Sequence, residues 1–190
     1  MLSTMITLFI MVALAGYLVG LYNQLVRVRS AIKLAWSNIN VLLAQRHDEL
    51  PKLVELCKQY MQYERDALER VMRARTGVDT ARSTGDMASV GSAERELRNG
   101  LSGLYAVAER YPDLKANENF RHVQDRISAL ETAIADRREV YNDAVNANNV
   151  RIASFPEMLV ASLGNFPEAR MLNFSDDDRK DVDVKALFSR

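Results

Sequence analysis

Residues 2–21 read LSTMITLFIMVALAGYLVGL, a run whose only polar interruptions are Ser3, Thr4 and Thr7. It contains no Lys, Arg, Asp, Glu or Pro. A hydrocarbon core of about 30 Å takes roughly 20 helical residues to cross. The run therefore predicts a single membrane anchor, with Leu2, Leu8, Phe9, Ile10, Val12, Leu14, Leu18, Val19 and Leu21 supplying its apolar surface. A cleavable signal peptide is the rival reading, since Ala13-Leu14-Ala15 ahead of Gly16 fits the small-residue cleavage rule. That reading lacks the Lys or Arg expected before the apolar core, and the apolar run continues through Tyr17, Leu18, Val19 and Leu21. Arg27, Arg29 and Lys33 come after the run, with nothing basic among the side chains before it. By the positive-inside rule the expected location is the cell (inner) membrane, single-pass, with the N-terminus outside and the C-terminal part in the cytoplasm.

Composition bounds the part beyond the anchor. Residues 22–190 amount to about one domain by size, and the whole chain carries 25 Lys and Arg against 25 Asp and Glu. A nucleic-acid partner is not expected, because phosphate neutralisation needs a basic excess that is absent here. The one cysteine, Cys57, has no partner for an internal disulfide and falls at an apolar helical position. It reads as a buried thiol; a reactive one would need an electropositive, partly exposed setting, of which Lys58 is only a hint.

Eight Gly and four Pro in 190 residues leave little room for turns, so long helices are predicted. Leu21, Leu25, Val28, Ile32, Ala35, Ile39 and Leu42 recur at spacings of four and three, a heptad seam on one helix face. The anchor should run straight into this helix, which is expected to reverse or kink between His47 and Pro51, because proline disfavours helix before it. A second helix is predicted over 51–75, with Leu53, Val54, Cys57, Tyr60, Met61, Leu68 and Val71 inward, ending across 76–85. A third over 86–110 shows Leu97, Leu101, Leu104, Ala108 and Tyr111, and Tyr111-Pro112-Asp113 closes it. The fourth, 114–152, carries Phe120, Val123, Ile127, Leu130, Ile134, Tyr141, Val145 and Ile152. Short connections between long amphipathic helices favour antiparallel neighbours. The expected fold is all-α: one transmembrane helix (1–21) continuing into an antiparallel four-helix bundle (22–152), then an apolar extension (153–174) and an acidic flexible tail (175–190).

Catalytic chemistry finds little support in the residue inventory. A ferritin-like di-metal centre needs two Glu-x-x-His pairs, and the chain has only His47 and His122. Glu118 and His122 share a helix face and read as a surface hydrogen bond. No Walker A loop, Gly-x-Gly-x-x-Gly turn, His-Glu-x-x-His or Gly-x-Ser-x-Gly elbow occurs. No enzyme activity, catalytic residue, cofactor or metal is expected.

Candidate interaction residues lie elsewhere. Between Ile134 and Tyr141 the fourth seam meets Arg137 and Arg138 where an apolar residue is due. Their stems could cover the seam while their heads reach solvent, or they could form an inter-helix or inter-subunit ion pair that sets register. An even number of antiparallel helices brings 153–174 back toward the membrane. Its Phe155, Met158, Leu159, Val160, Leu163, Phe166, Met171, Leu172 and Phe174 either cap the bundle or form an interfacial or partner-binding element. In the tail, Val182, Val184, Leu187 and Phe188 are candidates for a short docking motif. Tyr22 reads as an interfacial anchor. Trp36, some 20 Å farther along a continuous helix, belongs to the packed part, with its indole N–H needing a partner.

Taken in order, Tyr22-Asn23-Gln24-Leu25-Val26, Arg29, Ala35-Trp36-Ser37, Arg46, Leu50-Pro51 and Leu53-Val54-Glu55 form the opening of a recognisable pattern. It continues through Leu68-Glu69, Ala74-Arg75, the run Ala108 to Ala116 containing Tyr111-Pro112, Phe120, Tyr141-Asn142-Asp143-Ala144-Val145 and Phe155-Pro156. The chain resembles the LemA family over 22–174. The resemblance implies a bacterial protein with a short exterior N-terminus, one membrane helix and a cytoplasmic helical bundle, and carries no established reaction. One related branch is associated with magnetosome membrane biogenesis. The chain departs from the expected pattern at Asn40 and Tyr63, where Asp and His are expected, and at Asn148, where tyrosine is.

Two functions are expected on these grounds. One is a non-enzymatic membrane-anchored scaffold, a homo-oligomer in the lipid bilayer that self-associates or recruits an unidentified membrane or cytoplasmic protein to organise the cell membrane. The other is a regulatory or sensor subunit of a membrane protein quality-control or stress system.

Overall fold

The computed structural model describes residues 1–173. Its helices are α1 (Leu2–Tyr60), α2 (Arg65–Thr84), α3 (Met87–Ala108), α4 (Pro112–Ala116), α5 (Glu118–Ala153) and α6 (Glu157–Leu163), with no strand among the described residues. Phe174, Val182, Val184, Leu187 and Phe188, and the tail as a whole, lie outside them.

The expected break between His47 and Pro51 is absent: α1 passes through Pro51 and ends at Tyr60. A proline inside a helix has no N–H for the carbonyl four residues back, here that of His47. Arg75 Nε, on α2, donates to the His47 carbonyl at 2.9 Å, which fills the gap from another helix. The reversal comes at 61–64, so the helix predicted over 51–75 divides between the end of α1 and the start of α2. α2 also outlasts its predicted end and stops where Gly85 adopts φ 69°, a left-handed conformation suited to glycine. Asp86 then caps α3 by accepting from the backbone N–H groups of Ala88 and Ser89. The fourth predicted helix is interrupted at Asn117, whose Oδ1 accepts from Phe120 N–H at 3.1 Å as α5 begins.

The chain divides into two compact units. One comprises Asn38–Arg138 with Leu172 and Asn173. Here parts of α1 and α5 join α2 and α3 around one apolar core. Leu50, Leu53 and Cys57 enter it from α1, Leu68 and Val71 from α2, Leu97, Leu101 and Leu104 from α3, and Phe120, Val123 and Ile127 from α5. Each fully buried large side chain contributes about 1.5–3 kcal/mol of transfer free energy. Leu43 replaces Leu42 as the buried residue of the first seam, because a 3.6-residue turn drifts against a strict heptad. Tyr60 and Tyr111, expected inward, lie half-buried at the edge of the core.

The other unit comprises Met1–Ser37 and Glu139–Met171. The end of α5 runs antiparallel to the early part of α1. Trp36 meets Tyr141 edge-on at 6.2 Å between ring centroids, and Arg151 Nη1 donates to Gln24 Oε1 at 2.7 Å. α6 ends in a Schellman turn: Asn165 takes φ 51°, Phe166 N–H donates to the Ala161 carbonyl at 3.1 Å, and the Phe166 side chain packs with Ala161. The chain then returns along α5 as an irregular strap. Asn149 pairs with both backbone groups of Ala169, at 2.9 and 3.0 Å, and Tyr141 Oη donates to the Arg170 carbonyl at 3.0 Å.

Candidate functional site

Two features stand out, one in each unit. In the unit built on Asn38–Arg138, charged residues occupy core positions. Arg46 falls in step with Ile39, Leu43 and Leu50 on α1, and Glu94 with Val90, Leu97 and Leu101 on α3. Arg46 Nη2 donates to both carboxylate oxygens of Glu94 at 2.5 Å, with the two side chains 4% and 2% exposed. Near this pair, Arg46 Nε, Tyr105 Oη and Glu131 Oε1 are buried without a hydrogen-bond partner. Burial raises the Glu131 carboxyl above its ordinary value, with the Arg46 and Arg98 guanidiniums opposing. Burial likewise raises the Tyr105 hydroxyl. Glu49, also buried, accepts from Lys52 at 3.0 Å and from Arg126 on α5 at 2.9 Å. Such a cluster lies inside the helix packing rather than in an open cleft. It suits holding helix register, since only one register lets both buried charges meet.

A signal for this cluster is present in the sequence but escapes a search for motifs: Arg46, Glu94 and Glu131 each interrupt an apolar seam in phase with it. Asn40 retains a polar role, its Oδ1 accepting from Arg82 Nε at 2.8 Å, whereas Tyr63 is exposed in the α1–α2 connection. Cys57 is buried and its thiol is pushed up to about 12 by burial, which makes it an inert core residue. Burial, then Arg75, lowers the His47 imidazole below its ordinary value. His122 is exposed on α5, and the described contacts include no Glu118–His122 hydrogen bond. Among the described residues, no group of three or more His, Cys, Asp and Glu side chains is placed to hold a metal.

The second feature is the membrane-proximal end of α1 with α6 packed on it. The anchor residues Leu2, Leu8, Phe9, Ile10, Val12, Leu14, Leu18 and Val19 are exposed, as lipid contact requires, and α1 is long and apolar enough there to cross a membrane. Leu21 is buried. Beyond it, Tyr22 meets the Phe166 ring edge-on at 5.5 Å, Leu25 packs with Ala161 and Phe166, and the Arg29 guanidinium lies 6.0 Å from the Phe166 centroid. Asn23 is exposed, Asn142 and Pro156 are half-buried, and Pro112 opens α4. Of the candidate interaction residues, Phe166 is a buried docking residue and not a free surface, because the turn after α6 folds it back under Tyr22. Phe155, Met158, Leu159 and Leu163 are exposed. Arg137 is exposed and Arg138 half-buried. Asn148, where tyrosine was expected, is buried and donates toward the Pro167 carbonyl.

Among the described residues every regular element is helical, with one N-terminal helix long and apolar enough to cross a membrane ahead of the packed amphipathic helices, which defines a class of helical proteins with an N-terminal candidate span. The LemA family model matches residues 35–186, and the chain belongs to the LemA family. Magnetosome protein MamQ 2 of Paramagnetospirillum magneticum is 25% identical over 191 aligned residues, covering 86% of this chain and 69% of that protein. Protein LemA of Metamycoplasma hominis is 26% identical over 169 residues, covering 89% of this chain and 76% of that protein. The family is not known for an enzymatic activity.

Proposed function

We propose that this protein is a non-enzymatic membrane-anchored scaffold that self-associates, or recruits a protein partner, to organise the cell membrane, with the helical part in the cytoplasm. The observation that supports this reading is apolar surface left outward on the packed part of the anchored unit. Leu34 on α1 and Val140 on α5, close in sequence to the Trp36–Tyr141 contact, are 65% and 51% exposed. Exposed apolar surface of this kind is removed from water most simply by another protein surface. The magnetosome names of two relatives fit a role in membrane organisation.

The test is the mass of the detergent-extracted full chain, measured by light scattering corrected for bound detergent. A discrete oligomer that dissociates in the Leu34→Lys/Val140→Lys variant is expected. A monomer that co-purifies with one dominant partner would move the assignment to an adaptor or sensor subunit. A monomer without a partner would overturn the scaffold reading.

A further inference from the structure

We infer that the outer face of α6 is an interfacial foot, which rests in the headgroup layer of the same membrane that α1 crosses. The inference rests on the anchoring part of the proposed function and assigns a lipid occupant to a surface that would otherwise be a protein docking site.

α6 is apolar on two sides. Its inner side, through Val160 and Ala161, packs with Leu25 of α1. Its outer side presents Met158, Leu159 and Leu163, at spacings that keep them on one face, and Phe155 is exposed just ahead of the helix. Phe155 is 78% exposed, Leu159 52% and Leu163 90%. Glu157 is the one charged residue in the helix. Protein covers Val160 and Ala161, and the outer apolar face is left exposed.

Position along α1 selects lipid. The apolar run ends at Leu21, and α6 is held against Tyr22, Leu25 and Arg29 by the Phe166 and Ala161 contacts. At 1.5 Å per residue these positions stand only about 2–12 Å beyond the end of the run. The polar layer on each side of a bilayer is about 5–8 Å thick, so α6 lies at its level without any rearrangement. An amphipathic segment at this depth buries its apolar face at the boundary of headgroups and acyl chains.

Charge fits the same occupant. Arg27 and Arg29 are exposed on this collar of α1, and no Asp or Glu occurs before Asp48. A basic collar attracts anionic headgroups, by about 1 kcal/mol for each Lys or Arg near the surface. Leu34 is a useful contrast: it is 65% exposed and apolar, yet stands about 20 Å beyond Leu21 along the helix, clear of the headgroup layer.

The experiment uses the full chain in vesicles of mixed phosphatidylcholine and phosphatidylglycerol. Single cysteines replace Leu163, Phe155, Leu34 or Leu14 and carry an environment-sensitive fluorophore; native Cys57 is buried and does not compete for label. Quenching is read with iodide from the water and with nitroxide lipids labelled near the headgroup or deep in the chains. At Leu163→Cys and Phe155→Cys, several-fold weaker iodide quenching than at Leu34→Cys is expected, with strong quenching by the shallow nitroxide. Leu14→Cys should be quenched by the deep nitroxide, which reports the anchor separately. Iodide access at positions 163 and 155 with an intact anchor signal overturns the foot alone. Shielding from iodide without lipid quenching also overturns it, by placing a protein surface there. Loss of the Leu14 signal removes the anchor reading and the foot with it.

Discussion

Arg75 Nε donates to the backbone carbonyl of His47 at 2.9 Å, and His47 is the residue four positions before Pro51. This bond lets a proline sit inside α1 at modest cost, because the carbonyl it leaves without a helical donor is satisfied from α2. An interior proline otherwise costs about 3 kcal/mol. Arg75→Met should therefore destabilise the protein by about 1–3 kcal/mol, the cost of an unsatisfied carbonyl. In a Pro51→Ala background, where the helix supplies its own N–H, the same substitution should cost distinctly less. Urea unfolding of the four proteins of this cycle measures the coupling, and strict additivity would show that the two residues are unrelated.

The Arg46–Glu94 pair is buried on both sides. Removing one partner alone, as in Glu94→Leu, should cost about 3–5 kcal/mol by stranding the other charge. Replacing both, as Arg46→Met/Glu94→Leu, should recover much of the loss while relaxing helix register, which broadened amide resonances in α1 and α3 would reveal.

Glu131 should make stability fall as pH rises. Its folded-state value is raised by burial, so its contribution is fully present below the ordinary carboxyl value and is lost as pH rises through the folded value. The Glu131→Gln variant should be more stable than the parent at neutral pH and equal to it in acid, as followed by denaturant midpoint against pH.

His47 acts in the opposite sense. Its folded value is lowered, first by burial and then by Arg75, so stability is present above the ordinary imidazole value of 6.5 and lost as pH falls through the folded value. His47→Gln should flatten that mildly acidic limb of the stability profile and leave the Glu131 limb in place.

Gly91 on α3 faces the backbone of Asn173, whose carbonyl oxygen a Cβ at position 91 would overlap. Gly91→Ala should destabilise by about 1–3 kcal/mol through overpacking. Gly77 on α2 has open space at its Cβ position, so Gly77→Ala should stabilise by about 0.5–1 kcal/mol, the helix preference of alanine over glycine. Paired thermal melts of the two variants separate contact from propensity.

The sequence by itself determined the long apolar N-terminal helix, the all-helical class, the family and most of the buried seam, from Leu25 and Ile39 through Leu97 and Leu104 to Ile127 and Val145. These are local properties: an uncharged run long enough for a bilayer, and apolar residues repeating with the turn of a helix. Tertiary structure decided where α1 ends, because Pro51 is tolerated only when Arg75, distant in sequence, supplies the missing donor. It also decided the partner of Arg46, since a charge in a seam announces a partner without naming Glu94. Finally, it separated Phe166 from Phe155 and Leu163, three apolar residues of one short stretch. The left-handed turn at Asn165 folds the first against Tyr22 and Leu25 and leaves the other two outward, a difference that arises only when the chain reverses onto α1.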